Sequence, residues 1–175
     1  MKKVFLLLFL LSGCMNAPQN VFLTNTYTEI PLKVSDVETI SMMPVFDELP
    51  HIEHKMTVSP EEAVTQWSQK YLKCNGDKKK IVIIIRKADM LFEEQKNSNW
   101  FKADEEKYTL DYQLEIRLQE DKKVIQKSTA EGKGFITLAK KSSLAKKEKG
   151  WNWLIQKMIN HLETKIQTDF KDEVI

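Results

Sequence analysis

The histidines of the segment HIEHK are the side chains in this sequence best suited to bind a metal ion. His51 and His54 lie three residues apart with Glu53 between them, and the only other histidine is His161. Two histidines at this spacing share one metal only on a helix or in a tight turn, and a catalytic zinc ion needs a third protein ligand. We therefore predict no metal site and no cofactor. The role of His51 and His54 stays open.

A thiol near the start of the chain has a different chemistry. Lys2 and Lys3 precede an apolar run, Val4–Leu11, and the segment LSGC ends at Cys14. The run is too short to span a bilayer, which takes about 20 apolar residues, but it suits the core of a secretory signal. Leu-Ser-Gly-Cys is typical of a bacterial lipobox, in which a diacylglycerol alkylates the thiol and the chain is cut before it. We predict a signal peptide over residues 1–13 and lipid attachment at Cys14, with an ordinary signal or an unmodified cysteine as the alternative.

Acyl chains such as palmitate on Cys14 would anchor the protein stably, because several chains bind a membrane far more strongly than one. Cys74 then has no intramolecular partner, so a disulfide framework is excluded. We expect Cys74 to be a small, half-buried residue at a helix terminus rather than a reactive thiol.

The motifs of common catalytic sites are missing from the sequence. It contains no G-x-S-x-G elbow and no phosphate-binding glycine loop, and the triplet Gly132-Lys133-Gly134 is only a weak echo of one. The carboxylates are abundant but scattered. We predict no catalytic residues and no enzymatic activity.

A lysine-rich segment, AKKSSLAKKEKG, stands at the start of a predicted C-terminal helix, where the helix dipole disfavours cations. Contact with anionic lipid head groups would explain the cluster. The residues predicted to make this contact are Lys140, Lys141, Lys146 and Lys147. The alternative is a solvated helix face.

A long connection over residues 92–107 carries two adjacent aromatic residues, Trp100 and Phe101, in a polar and charged setting. Loops longer than about 12 residues are uncommon unless they are functional or disordered. One interpretation is that both rings fold back over the sheet end and close the core. The other is that they form an exposed tip that contacts a partner protein or the membrane, which makes Trp100 and Phe101 candidate partner contacts.

The first half of the chain is predicted to hold a strand and a helix. β-Branched residues predict a strand over about 32–42. Ser59, Pro60 and Glu62 have the types of an N-cap, a first helical residue and the second member of a capping box. Gly76 marks the predicted end of that helix.

Three strands and a second helix are predicted to follow. Ile81–Ile85 is apolar at every position, as in a strand covered on both faces, and the tether or a partner could supply the second cover. Residues 108–118 alternate between apolar and polar, which indicates a half-solvated strand. Residues 124–138 return as its antiparallel partner. The last helix begins near Ser142 or Ser143, and small residues on one strand face would let a helix approach: Ser128, Ala130, Gly132 and Gly134.

The order β-α-β-β-β-α predicts an α+β fold with two layers, a mostly antiparallel sheet of about four strands with two helices on one face. We predict a tether over residues 14–30, a single domain over 31–170 and a tail over 171–175. Trp67 and Trp151 are expected to be buried between helix and sheet.

The charge balance of the chain argues against nucleic acid as a partner. Of 27 Lys and Arg residues, Lys2 and Lys3 leave with the predicted signal, so 25 basic residues remain against 25 acidic ones. Nucleic-acid binding normally requires a concentrated basic excess.

Four segments together resemble an uncharacterised family of alphaproteobacterial outer-membrane lipoproteins: LSGC, LPHIEHKMTVSPEEAVTQW, YQLEIRL and WNWLIQKMINHLETKI. More loosely, the layout resembles ABC-transport auxiliary lipoproteins and the small lipoproteins of outer-membrane assembly machines. These resemblances imply a small α/β fold without catalytic residues. Met15 replaces the Asp of an inner-membrane retention signal, which by the same resemblance implies the outer membrane.

The expected function follows from anchor and resemblance together. We expect a lipid-anchored, periplasm-facing outer-membrane lipoprotein, acting as a non-catalytic binding or adaptor component of an envelope lipid-transport or assembly system, with a protein partner in that complex. A structural lipoprotein that stabilises the envelope without a transported ligand is the alternative, and a periplasmic enzyme is a remote one.

Overall fold

Six strands, two α-helices and a short 3-10 helix, Glu53–Lys55, make up the regular structure of the described part of the chain. The computed structural model describes residues 27–96 and 104–175. The elements are β1 (Ile30–Leu32), β2 (Asp36–Ser41), α1 (Pro60–Tyr71), β3 (Leu72–Cys74), β4 (Lys79–Gln95), β5 (Glu105–Glu120), β6 (Lys123–Ala139) and α2 (Leu144–Asp169). Within these ranges, neither helix has the length and apolar character of a membrane span.

The main sheet has four strands in the order β2-β4-β5-β6. β4, β5 and β6 form an antiparallel meander, whereas β2 runs parallel to β4. β1 and β3 form a separate parallel pair. The predicted α+β class, with two helices packed on a mostly antiparallel sheet, is confirmed. The single strand predicted over 32–42 is wrong, because the chain leaves β1 at Leu32 and starts β2 at Asp36 in a different sheet.

The start of α1 follows from local sequence. The Ser59 hydroxyl accepts from the Glu62 backbone N–H at 3.2 Å, and the Glu62 carboxylate accepts from the Ser59 N–H at 2.9 Å. This capping box satisfies two N–H groups that a helix terminus would otherwise leave unpaired. Trp67 is buried in the core, as predicted, and Ser68 hydrogen-bonds to Thr39 of β2 at 2.8 Å.

The end of α1 differs from the prediction. The helix ends at Tyr71, and Leu72–Cys74 forms β3 because its backbone pairs with β1. Cys74 is therefore an exposed strand residue and not a half-buried helical one. Gly76 does not end the helix either. The segment that joins β1 to β2 packs directly on Gly76. An added Cβ would overlap the Lys33 carbonyl, so the residue must be a glycine for this packing.

The second helix packs on the strands of the meander. Ser143 is its N-cap, accepting from the Lys146 N–H at 3.3 Å, which settles the choice between Ser142 and Ser143. Trp151 is buried, as predicted. A Cβ added at Gly150 would overlap the terminal methyl group of Ile136, so this glycine brings α2 close to β6.

The face of the sheet that points away from α1 and α2, which we call the helix-free face, is also covered at β4. Charged side chains provide this cover. Val82 and Ile84 are buried but do not belong to the cluster that contacts the helices. Their cross-strand partners are Arg117 and Glu115, and partners in such pairs lie on the same face. Long charged side chains can cover apolar surface with their aliphatic stems. The predicted cover on both faces is thus present for Val82 and Ile84.

Both strands beside the predicted loop over 92–107 are longer than predicted. β4 continues to Gln95 and β5 starts at Glu105, and these two residues are paired. The outer parts of the predicted loop are therefore strand. Trp100 and Phe101 lie outside the described residues.

The last residues of the chain contact β1. The Lys33 N–H donates to the Glu173 carbonyl at 2.7 Å, and the Ile175 N–H donates to the Pro31 carbonyl at 2.9 Å. Lys79 of β4 also forms an ion pair with Glu173 at 2.5 Å. The C-terminal residues thus hold β1 beside the main sheet.

Candidate functional site

The four lysines predicted to contact lipid fall into two pairs. Lys140 and Lys147 are engaged: Lys140 forms an ion pair with Glu94, and Lys147 lies 2.6 Å from Glu106. Lys141 and Lys146 are exposed and have no ion pair within the described ranges. Only this second pair is available for an external anion without breaking an internal contact.

Glu106 is the centre of a small buried polar network. Lys147 and the Tyr108 hydroxyl both donate to its carboxylate, the latter at 2.7 Å. Burial alone would raise the pKa of Glu106, but these two hydrogen bonds outweigh it and lower the pKa. Burial and the Glu106 contact raise the pKa of Tyr108. The network is therefore an ionised carboxylate with a cation and a neutral phenol.

A groove of about 270 Å³ lies beside this network. Leu49 and Leu144 at the groove are 58% and 61% exposed, although both are large apolar side chains. The Trp151 ring packs edge-on against Tyr108, and its buried Nε1 has no hydrogen-bond partner in the described part of the chain. The lining is mostly apolar: Leu49, Ile52, Lys55, Phe92, Glu106, Tyr108, Leu144, Lys147 and Trp151. Such a site can take an apolar group with a polar end.

The groove lies at the same end of the sheet as the connection between β4 and β5. The Lys140 N–H donates to the Asp104 carbonyl at 2.9 Å, and Lys140 also contacts Glu94. In the sequence, the exposed Lys141 directly follows Lys140, and the exposed Lys146 directly precedes Lys147, which lines the groove. We call Leu49 and Leu144 at the groove, together with the exposed Lys141 and Lys146 on either side of Leu144 in the sequence, the basic end.

A second cluster lies on the helix-free face, where the segment after β2 returns to β4. The Ile52 N–H donates to the Met90 carbonyl at 3.1 Å, and the Phe92 N–H donates to the Pro50 carbonyl at 2.8 Å. This pairing brings His51 and Glu53 next to Asp89, with the three potential ligand atoms within 4.8 Å of one another.

No motif in the sequence indicates Asp89 as part of this group. It lies more than 30 residues from His51, and only the pairing of residues 50–52 with β4 brings it close. His54 is not part of the cluster; it lines an adjacent groove of about 340 Å³, and Glu53 lines that groove as well. Burial raises the pKa of the Asp89 carboxyl, opposed by His51 and Lys87.

Comparison with known proteins yields only distant likenesses. No family model and no curated protein matches the chain. Three solved structures align over most of their length. They are a minor lipoprotein from Acinetobacter baumannii (10% identity, 82% of this chain and 96% of that one, TM-score 0.42), the rare lipoprotein B from Shewanella oneidensis (14%, 78% and 97%, 0.37) and a neuraminyllactose-binding hemagglutinin homolog from Helicobacter pylori (11%, 86% and 96%, 0.42). Similarity at this level carries no argument about what the chain does.

Proposed function

We propose that the protein is a lipid-anchored outer-membrane lipoprotein that acts as a non-catalytic binding or adaptor component of an envelope lipid-transport or assembly system. The observation that carries the proposal is the thiol of Cys14, placed after two lysines, an eight-residue apolar run and two small residues. Only a cysteine can accept a diacylglycerol through sulfur, and the run before it has the length of a signal core.

The groove and the basic end support the binding role. An apolar groove flanked by exposed Leu49 and Leu144 suits an acyl chain, and the two unpaired lysines beside it suit a phosphate head group. A membrane lipid has both of these parts. We therefore take a membrane lipid as the ligand of this end of the domain.

The anchor is tested by labelling cells with a fatty-acid probe. The chain offers a matched control, since Cys74 is an exposed thiol elsewhere in the same protein. We expect Cys14→Ser to abolish labelling and to leave a slower-migrating precursor, whereas Cys74→Ser labels normally. Continued labelling of Cys14→Ser would contradict the anchor.

The adaptor role is tested by affinity purification of the acylated protein from detergent-solubilised outer membrane. We expect components of a transport or assembly complex to co-purify. We also expect a Trp100→Ala, Phe101→Ala double variant to keep its melting temperature and lose these partners. Recovery of peptidoglycan or a porin alone would favour the structural alternative, and a double variant that unfolds or keeps every partner would remove the proposed contact.

A further inference from the structure

The spacing of two atoms in the cluster on the helix-free face matches a metal coordination shell. His51 Nδ1 lies 3.5 Å from Glu53 Oε1. Two ligands at about 2.0–2.2 Å from a tetrahedral zinc ion are separated by roughly 3.3–3.6 Å. The distance is longer than a typical hydrogen bond between these atoms and falls within that range.

Buried polar atoms in the cluster have no partner. His51 Nδ1 and Glu53 Oε2 are both shielded from solvent, and neither has a hydrogen-bond partner within the described residues. The side chains of His51, Glu53 and Asp89 are only 17%, 16% and 15% exposed. Leaving such groups unsatisfied is costly, and a bound cation would satisfy both atoms at once.

The charges around the cluster also favour a cation. Glu53 and Asp89 place two carboxylates close together, and the nearest lysine, Lys87, lies 4.0 Å from Asp89. Lys87 has its shorter contact, 2.8 Å, with Asp111 on the neighbouring strand. The negative charge of the pair is therefore only weakly compensated by the protein.

The backbone holds these ligands in place before any ion binds. Asp89 is on β4, and the segment carrying His51 is hydrogen-bonded to the same strand. The Met90 N–H donates to Glu53 Oε1 at 2.6 Å, and the Phe46 ring stacks on the imidazole at 3.8 Å between ring centroids. Contacts of this kind orient metal ligands and raise affinity.

We propose that His51, Glu53 and Asp89 bind one divalent transition-metal ion, with Zn²⁺ as the first ion to test. One imidazole and two carboxylates suit Zn²⁺ or Mn²⁺, whereas Ca²⁺ and Mg²⁺ prefer oxygen ligands alone. Three protein ligands leave one tetrahedral position for water or another group. The ion would fasten the segment between β2 and α1 to β4, and this role does not depend on the proposed function.

The test is titration of the acylated protein in detergent with ZnCl₂ by calorimetry, in a Cys74→Ser background so that the exposed thiol does not contribute. We expect one site and a rise in melting temperature with zinc concentration. His51→Gln and Asp89→Asn should each weaken binding by at least about tenfold.

The matched controls are residues of the same types outside the ligand set. His54→Gln and Asp77→Asn should both keep wild-type affinity, because His54 is not part of the cluster and Asp77 is an exposed residue before the start of β4. Equal losses in these controls, or no saturable zinc binding in the wild type, would overturn the proposal.

X-ray absorption spectroscopy of the zinc-loaded protein that keeps its native Cys74 tests the site without any ligand variant. One imidazole and oxygen ligands at about 2.0–2.1 Å are expected. A shell with sulfur or with two imidazoles would overturn the assignment even if the ligand variants failed to fold.

Discussion

Glu115 is the residue whose charge matters most to the folded state on the helix-free face. Its buried carboxylate accepts from Arg117, from Lys127 at 3.1 Å and from Arg86 at 3.2 Å. Burial by itself would raise the pKa of Glu115, but the hydrogen bonds from Arg117, Lys127 and Arg86 lower it to about 2. A carboxylate with three cationic donors is strongly favoured in its charged form.

We predict that Glu115 makes the protein acid-sensitive over a defined range. Because its folded pKa lies below the unfolded value of 4.5, its contribution is complete above pH 4.5 and is lost as the pH falls towards 2. Glu115→Gln should lower the free energy of unfolding by about 2–3 kcal/mol at pH 7, and this difference should shrink towards pH 2. Urea denaturation at several pH values measures it, with the exposed Glu131→Gln as control. A difference that is constant with pH would contradict this role.

At the residue scale, the sequence predicts local contacts and misses distant ones. The capping box of Ser59 and Glu62 spans four consecutive residues, so its pattern is complete in the sequence. The cluster of His51 and Asp89 depends on how the segment after β2 pairs with β4, and no spacing in the sequence encodes that pairing. The division of the lysines into paired and unpaired residues was unforeseen for the same reason.

At the element scale, Gly76 makes a closer approach to backbone than the glycines on β6. A Cβ there would overlap the Lys33 carbonyl and lie 2.6 Å from the Val34 nitrogen, and neither atom belongs to a flexible side chain. At Gly134 the nearest atom is the Leu154 Cδ2, at an ordinary 3.4 Å.

We therefore predict that Gly76→Ala destabilises the protein by about 1–3 kcal/mol, because the junction of β1 and β2 must move. Gly134→Ala, the matched change, should alter stability by no more than about 0.5 kcal/mol. Thermal or urea denaturation of both variants measures this difference. Similar stability of the two variants would show that the β1–β2 junction yields easily.

Element types were more predictable than element ends. The apolar run Ile81–Ile85 and the alternation over 108–118 identify two strands, because period and burial are local properties. Their full lengths were not predictable, since residues beyond the apolar core are polar and are held in strand only by cross-strand pairing, as in Gln95 with Glu105. β3 was missed because three residues carry too little pattern, and their pairing with β1 decides their conformation.

At the scale of the whole molecule, the proposed lipid on Cys14 would let the domain present its basic end to the membrane. Twelve residues lie between Cys14 and Tyr27, the first described residue, and the thirteen Cα–Cα steps that join the two span at most about 45 Å. Tyr27 packs on Trp67 and Tyr71 of α1. α2 has 26 residues and is about 39 Å long, so the maximum span of the predicted tether is comparable to the length of this helix.

The last prediction compares two double variants with equal loss of charge. Lys141→Gln, Lys146→Gln removes the unpaired lysines of the basic end, and Lys140→Gln, Lys147→Gln removes those paired with Glu94 and Glu106. Since each exposed lysine near an anionic surface contributes about 1 kcal/mol, the first variant should bind phosphatidylglycerol vesicles about 30-fold more weakly, with an unchanged melting temperature. The second should melt at a lower temperature and lose less binding, because its lysines serve internal contacts.

The measurement is vesicle co-sedimentation of the mature chain carrying Cys14→Ser, with phosphatidylcholine vesicles as the neutral control. Equal losses of vesicle binding in the two variants would indicate that only long-range charge matters. If the first variant lost no binding, Lys141 and Lys146 would belong to a solvated helix face that does not contact lipid.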